Sequence, residues 1–255
     1  MSEPEGGPVF NEGTIFVFAN IIRSTDTTRF DKVAAQDPAS GQRLVFDRRI
    51  AVPPAQNQWD TITVWLFNAT FTDGFTVEVQ VNKADFDDQA TAKTKAEKFA
   101  EAVGRLPKIL RKELQTMTIH AGSELFGGGN NGLVIYTDQA TTYEVTWKCL
   151  HEALAHELVH TSLDADHKDT QGKDSWTEAE TEDGVSVSTY SEVDPEEDLA
   201  ESFVPYIGVR YRPDRVSDTN KDKALGKILH RIAYFDAQNF DMSPLPPRVG
   251  PPAIV

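Results

Sequence analysis

Apolar residues follow two periods along this chain, and the change between them falls near residue 85. Before it, the runs 14–22, 44–52, 61–71 and 75–81 are rich in β-branched and aromatic residues, which suit a pleated backbone. Val77, Val79 and Val81 alternate with Glu78, Gln80 and Asn82, predicting a strand with one wet face. Thr72-Asp73-Gly74 joins the last two runs as a hairpin turn. After residue 85 the spacing becomes three and four. Ala96, Phe99, Val103, Leu106 and Leu110 line one side of a long helix, capped by Asp85 or Asp87 and interrupted by Pro107. The short apolar runs 117–121 and 133–137 predict strands. Between them, Phe126-Gly-Gly-Gly-Asn-Asn-Gly132 reads as a flexible turn or flap.

Val145, Leu150, Leu154, Leu158 and Val159 recur at helical spacing. Thr141 with Glu144 three residues on makes a capping box, so one helix is predicted from 141 to about 163. Leu199, Phe203 and Val204 predict another, with Asp194 as N-cap and Pro195 as its first residue. Leu225, Ile228, Leu229, Ile232 and Phe235 predict an amphipathic helix over 221–235. Residues 164–189 are rich in Asp, Glu, Ser and Thr and read as a loop. The fold class is α+β, divided into a flexible N-terminus (1–13), a β-rich region (14–84), a main region (85–243) and a tail (244–255). The β-rich region either extends the main sheet or forms a small lobe. The tail carries five prolines, which predict extended or disordered chain.

Composition changes this picture little. The 255 residues are 39% hydrophobic and 25% charged, ordinary for a folded domain. No apolar run approaches the ~18–20 residues of a membrane span. Residues 1–13 lack the basic and apolar regions of a signal peptide. The single cysteine, Cys149, excludes an internal disulfide and reads as a buried thiol. A net charge of −15 opposes binding to nucleic-acid phosphates and anionic membranes.

The chemistry concentrates in His156-Glu-Leu-Val-His160. On a helix, positions i and i+4 share a face, so both imidazoles can reach one Zn²⁺, and Glu157 between them can hold a water for it. His151 is five residues from His156 and does not share its face. A catalytic zinc takes three protein ligands and leaves a position open. Glu197 is the candidate third ligand, and Glu201, one turn on, would orient a ligand histidine through its second ring nitrogen. Glu180 is a rival in a segment without helical periodicity. Asp166 is another, in a metzincin-like spacing where Leu163 replaces the glycine of the turn. Asp164, Asp166, Asp169 and Asp174 lack the spacing of a calcium loop.

His156-Glu-Leu-Val-His160, then Tyr190, Glu197 and Glu201, resemble gluzincin metallopeptidases of the anthrax lethal factor and Pro-Pro endopeptidase type. The resemblance covers about residues 86–235. It implies a zincin-like fold: a twisted mixed sheet, a long backbone helix, the active-site helix and a helical C-terminal lobe. Residues 133–137 would be the strand on the rim of the cleft, open to a peptide as an added strand. Tyr190, seven residues before Glu197, would stabilise the oxyanion, with His167 and Arg210 next in line. The expected activity is zinc-dependent peptide-bond hydrolysis with Glu157 as general base, on a peptide or protein substrate. The alternatives are a metzincin-like peptidase ligating through Asp166, a silent zinc-containing binding protein, and a hydrolase of non-peptide amides. The resemblance favours secretion, although the chain shows no signal peptide.

Overall fold

In the computed structural model, residues 7–51 and 58–250 are described. Residue 52 of the run 44–52, residues 1–6 of the N-terminus and residues 251–255 of the tail lie outside them. The described part has a six-stranded mixed sheet and ten α-helices. After a helical turn, α1 (Thr14–Val17), come β1 (Phe30–Phe46), β2 (Trp59–Phe71) and β3 (Thr76–Asn82). Helix α2 (Gln89–Val103) leads to β4 (Thr116–His120), β5 (Gly127–Gly129) and β6 (Gly132–Tyr136). The strand order is β1-β2-β3-β4-β6-β5. The β3–β4 and β4–β6 pairs are parallel and the others antiparallel. Because β3 pairs with β4, the β-rich region extends one continuous sheet.

The hairpin forms at the expected place, with Gly74 at φ 93° and its N–H donating to the Phe71 carbonyl at 3.0 Å. Glycine adopts that conformation without a Cβ clash. Strand β1 is much longer than its predicted run, and 14–22 is not a strand. Tertiary contact overrides β propensity there: Phe18, Ile21 and Ile22 are buried, and Thr14 N–H goes to the Glu201 carboxylate at 2.7 Å.

Val77, Val79 and Val81 face the core, aligned with Met117, Ile119, Leu133 and Ile135 on the neighbouring strands. The opposite face was expected to be wet, yet Gln80 and Asn82 are buried. The turn after β1 folds over it. Tyr136 donates its hydroxyl to Asp47 at 3.2 Å, and Arg49 bridges Asp47 and Asp85 at 2.7 and 2.8 Å. Fully buried His120 sits beneath, 3.2 Å from Asn82, and burial lowers its pKa. The polar alternation therefore marks a buried network.

Helix α2 buries Ala96, Phe99 and Val103 as expected, but Asp88 is its cap, accepting from Thr91 N–H at 2.8 Å. Pro107 opens a 3-10 turn, Lys108–Arg111. The helix predicted from 141 is broken. Short α3 (Thr137–Thr141) passes into a π turn, Thr142–Thr146, and α4 (Leu150–Ser162) starts afresh. Lys148 at φ 58° forces the break, and Glu144 pairs with Lys98 at 2.7 Å instead of closing a capping box. Cys149 is buried as expected, and burial pushes its thiol pKa up to about 12.

The expected loop 164–189 contains α5 (Asp164–His167) and α6 (Trp176–Asp183). Helix α6 shows little apolar periodicity because one residue anchors it. Trp176 is buried 5.0 Å from the Phe235 ring, with Ser175 capping at Glu178 N–H. Next are α7 (Thr189–Val193) and a 3-10 turn, Pro195–Glu197, which Asp194 caps at Glu196 N–H. Helix α8 (Asp198–Tyr211) follows, with Pro205 inside it. The predicted helix 221–235 is two helices, α9 (Asp218–Lys227) and α10 (Leu229–Ala237), separated at Ile228. No described helix is long and apolar enough to cross a membrane.

Candidate metal centre

Helix α4 carries His156, Glu157 and His160, and the residues entering α8 carry Glu197 and Glu201. The two elements pack against each other, and both bury apolar residues in the core, among them Leu158, Val159, Leu199 and Phe203. The sequence thus aims two imidazoles and one carboxylate at a common point. Oε2 of Glu197 lies 2.8 Å from His156 Nε2 and 2.9 Å from His160 Nε2. This is the one cluster of three metal-ligating side chains among the described residues. Ligand atoms around a tetrahedral ion at ~2.0–2.1 Å would lie about 3.3 Å apart. The group fits a metal after an opening of a few tenths of an ångström.

Each histidine is backed on its other nitrogen by a carboxylate. Nδ1 of His160 is hydrogen-bonded to Asp164 Oδ2 at 2.9 Å, whereas Nδ1 of His156 faces Glu201 Oε1 at 3.3 Å in an ion-pair contact outside hydrogen-bond geometry. Such partners fix ring orientation and turn Nε2 toward a ligand. Burial opposes charge on His156, but Glu197 and Glu201 lift its pKa well above the ordinary value. Burial opposes charge on His160 too, yet Asp164 and Glu197 raise it to about 9. Burial would raise Glu197, and the two imidazoles hold it far below the usual carboxylate range. These rings must release protons to accept a metal.

A cleft of about 660 Å³ opens over the cluster. Glu157, half-buried, lines it together with His156, His160 and Glu197. Beyond Ala153, one turn before Glu157, the wall is aromatic: Phe126, Tyr143 and Phe16. The Tyr143 ring meets Phe126 edge-on at 5.1 Å and lies tilted 5.6 Å from exposed Trp147. Asp164 and Glu196 line the cleft as well. Tyr190 lies on α7, not at the end of a loop, and is 44% exposed in the cleft. Its ring is 6.1 Å from that of His156. Burial first, then Glu197 and Glu157, pushes its hydroxyl pKa up to about 12.

The expected rim strand, 133–137, is not the edge. Strand β6 lies between β4 and β5, and the glycine run expected as a flap is the edge strand β5. A Cβ on Gly128 would fall 1.8 Å from the Glu157 carbonyl oxygen. Only glycine allows this backbone-to-backbone approach. Gly129 N–H donates to Thr161 on α4 at 3.0 Å, securing the strand against the helix that carries His156 and His160.

The remaining candidates lie elsewhere. Asp166 is exposed, 3.8 Å from Lys112. Glu180 faces Asp198 and Arg231, where burial first and Asp198 next raise its pKa to about 8. His167 is bonded to the Tyr234 hydroxyl at 2.7 Å, Arg210 to Asp236, and His230 to Asp183. His151 is buried outside the cleft, with its pKa lowered to about 4 by burial and then Arg105. Sequence reading missed Asp164 as a partner of His160, although its i+4 spacing from that ligand was a signal. It also missed Ser188, which donates to Glu201 at 2.6 Å and carries no local mark of that role. No family model, curated protein or solved structure matches the chain.

Proposed function

We propose that the protein is a zinc-dependent endopeptidase in which His156, His160 and Glu197 hold the metal. The observation that carries the reading is the convergence of these three ligand atoms beside Glu157, in a cleft bordered by an open strand edge. The donor set of two imidazoles and one carboxylate suits zinc at a catalytic site. Bound there, zinc supplies Lewis acidity, polarising a carbonyl and lowering the pKa of a water toward ~7.

The rest is the work of the chain. Glu157 takes a proton from the attacking water and returns it to the leaving amine. Tyr190 donates a hydrogen bond to the oxygen that gains negative charge, supported by its protonated state and its place in the cleft. Asp164 and Glu201 keep the ligand rings in register. An extended peptide pairs with the edge of β5, and a bulky apolar side chain packs on the aromatic residues that line the cleft. The zincin-like, gluzincin-type relationship suggested by the motif spacing belongs to this proposal. It is supported by the mixed sheet and the position of α4 below its edge strand.

Incubation with a diverse peptide library, with and without chelator, tests the function. Cleavage that chelator abolishes and zinc restores is the expected result. Cleavage indifferent to chelator, or none by zinc-loaded protein, contradicts it.

A further inference from the structure

The segment before α1 was expected to be flexible, yet it runs beside the entry to α7. Val9 N–H and Phe10 N–H donate to the carbonyls of Ser186 and Val187 at 2.9 and 3.0 Å. Thr189 N–H returns a bond to the Phe10 carbonyl at 3.1 Å. Phe10 is buried, 5.3 Å from the Phe18 ring. At the end of this segment, Thr14 N–H donates to Glu201 Oε2 at 2.7 Å. The Ser188 hydroxyl donates to the same oxygen at 2.6 Å. Glu201 is 1% exposed, and its other oxygen faces His156 Nδ1.

A buried carboxylate needs donors, and here one comes from each side of the paired segments. Ser188 has a second task. Its oxygen accepts from Ser191 N–H at 3.2 Å and so caps the helix that carries Tyr190. The same N-terminal stretch places Ile15 and Phe16 in the cleft wall.

We infer that Thr14 N–H and Ser188 Oγ are positioning groups for the metal ligand His156, acting through Glu201. The N-terminal segment 9–14 is thereby a working part of the metal site. The inference rests on the proposed metal site. Displacing the segment would withdraw one donor from Glu201 and a wall from the cleft together. By linkage, the factor by which docking of the segment strengthens metal binding equals the factor by which metal tightens docking.

Two measurements on the full chain test this. Ser188→Gly removes the hydroxyl but keeps a residue that is tolerated at an N-cap. Its zinc affinity, read by competition with a chromophoric chelator, should fall about 10–100-fold. The visible spectrum of the cobalt(II)-substituted variant should shift as His156 loses its fixed orientation. Independently, amide hydrogen exchange of the unaltered chain should show Val9, Phe10 and Thr14 protected, and slowed further by zinc. A Ser188→Gly variant with parental zinc affinity and cobalt spectrum overturns the inference and leaves the proposed function standing. So does exchange at residues 9–14 that is fast and unchanged by zinc. A parent chain that binds no zinc overturns both.

Discussion

Two imidazole nitrogens converge on one carboxylate oxygen at 2.8 and 2.9 Å, and a second carboxylate faces the other nitrogen of each ring, an arrangement that favours charged rings or a shared cation. The ligand spacing was legible because i and i+4 share a helix face whatever the surrounding fold. Glu197 and Glu201 were legible for the same reason. Their partners Ser188 and Thr14 were not, since tertiary packing brings them to Glu201 from 13 and 187 positions away. Glu157→Gln should hold zinc at parental stoichiometry but lose turnover by at least about 10²-fold; equal turnover removes Glu157 as the base. Tyr190→Phe should lower kcat by about 10²–10³-fold with zinc affinity nearly unchanged, and full activity would exclude the tyrosine from the mechanism. Glu152 makes a separate pH prediction. It is completely buried, accepting from Ile22 N–H at 2.8 Å, and burial raises its pKa from 4.5 to about 8. Between these values the folded chain holds a proton that the unfolded chain releases. Stability should therefore fall as pH rises across that window. Denaturant titrations of the metal-free chain at pH 5 and 8 should show the fall, to which His156, His160 and Glu180 also contribute, and Glu152→Gln should make it smaller.

At the scale of elements, α4 and β5 form the site by direct backbone approach. The glycine run looked like a flap because it has no side chains to give a β pattern. Its lack of side chains is the reason it can lie on α4. Gly128→Ala must push β5 from the helix, since the new Cβ would meet the Glu157 carbonyl. A cost of about 1–3 kcal/mol is expected, with a larger fractional loss of activity. Gly127→Ala should be mild, because its Cβ would find only ordinary contacts, 3.5 Å from Arg48 and 4.0 Å from Val134. Thermal denaturation and peptide turnover of the two variants check this, and equal effects would count against the close approach. The break before α4 was hidden in the sequence for a different reason. Apolar spacing continues from Val145 to Val159, but Val145 is 60% exposed and Lys148 turns the chain. Periodicity reports which residues are apolar, and it does not report where the backbone interrupts them.

Over the whole molecule, one sheet carries the site at its β5–β6 side and the polar network of Asp47, Arg49, Asp85 and His120 on its far face. In the N-terminal β region, β2 and β3 were legible as strands, while most of β1 was not. That the region extends the same sheet was not legible either, since the β3–β4 pairing joins residues almost forty positions apart. Anomalous diffraction at the zinc edge, from crystals of zinc-loaded protein, tests the central claim most directly. The account predicts a dominant peak about 2.0–2.2 Å from His156 Nε2, His160 Nε2 and a Glu197 carboxylate oxygen, with Glu157 beside the open position. A peak ligated by Asp166, or no peak between the two histidines, would contradict it.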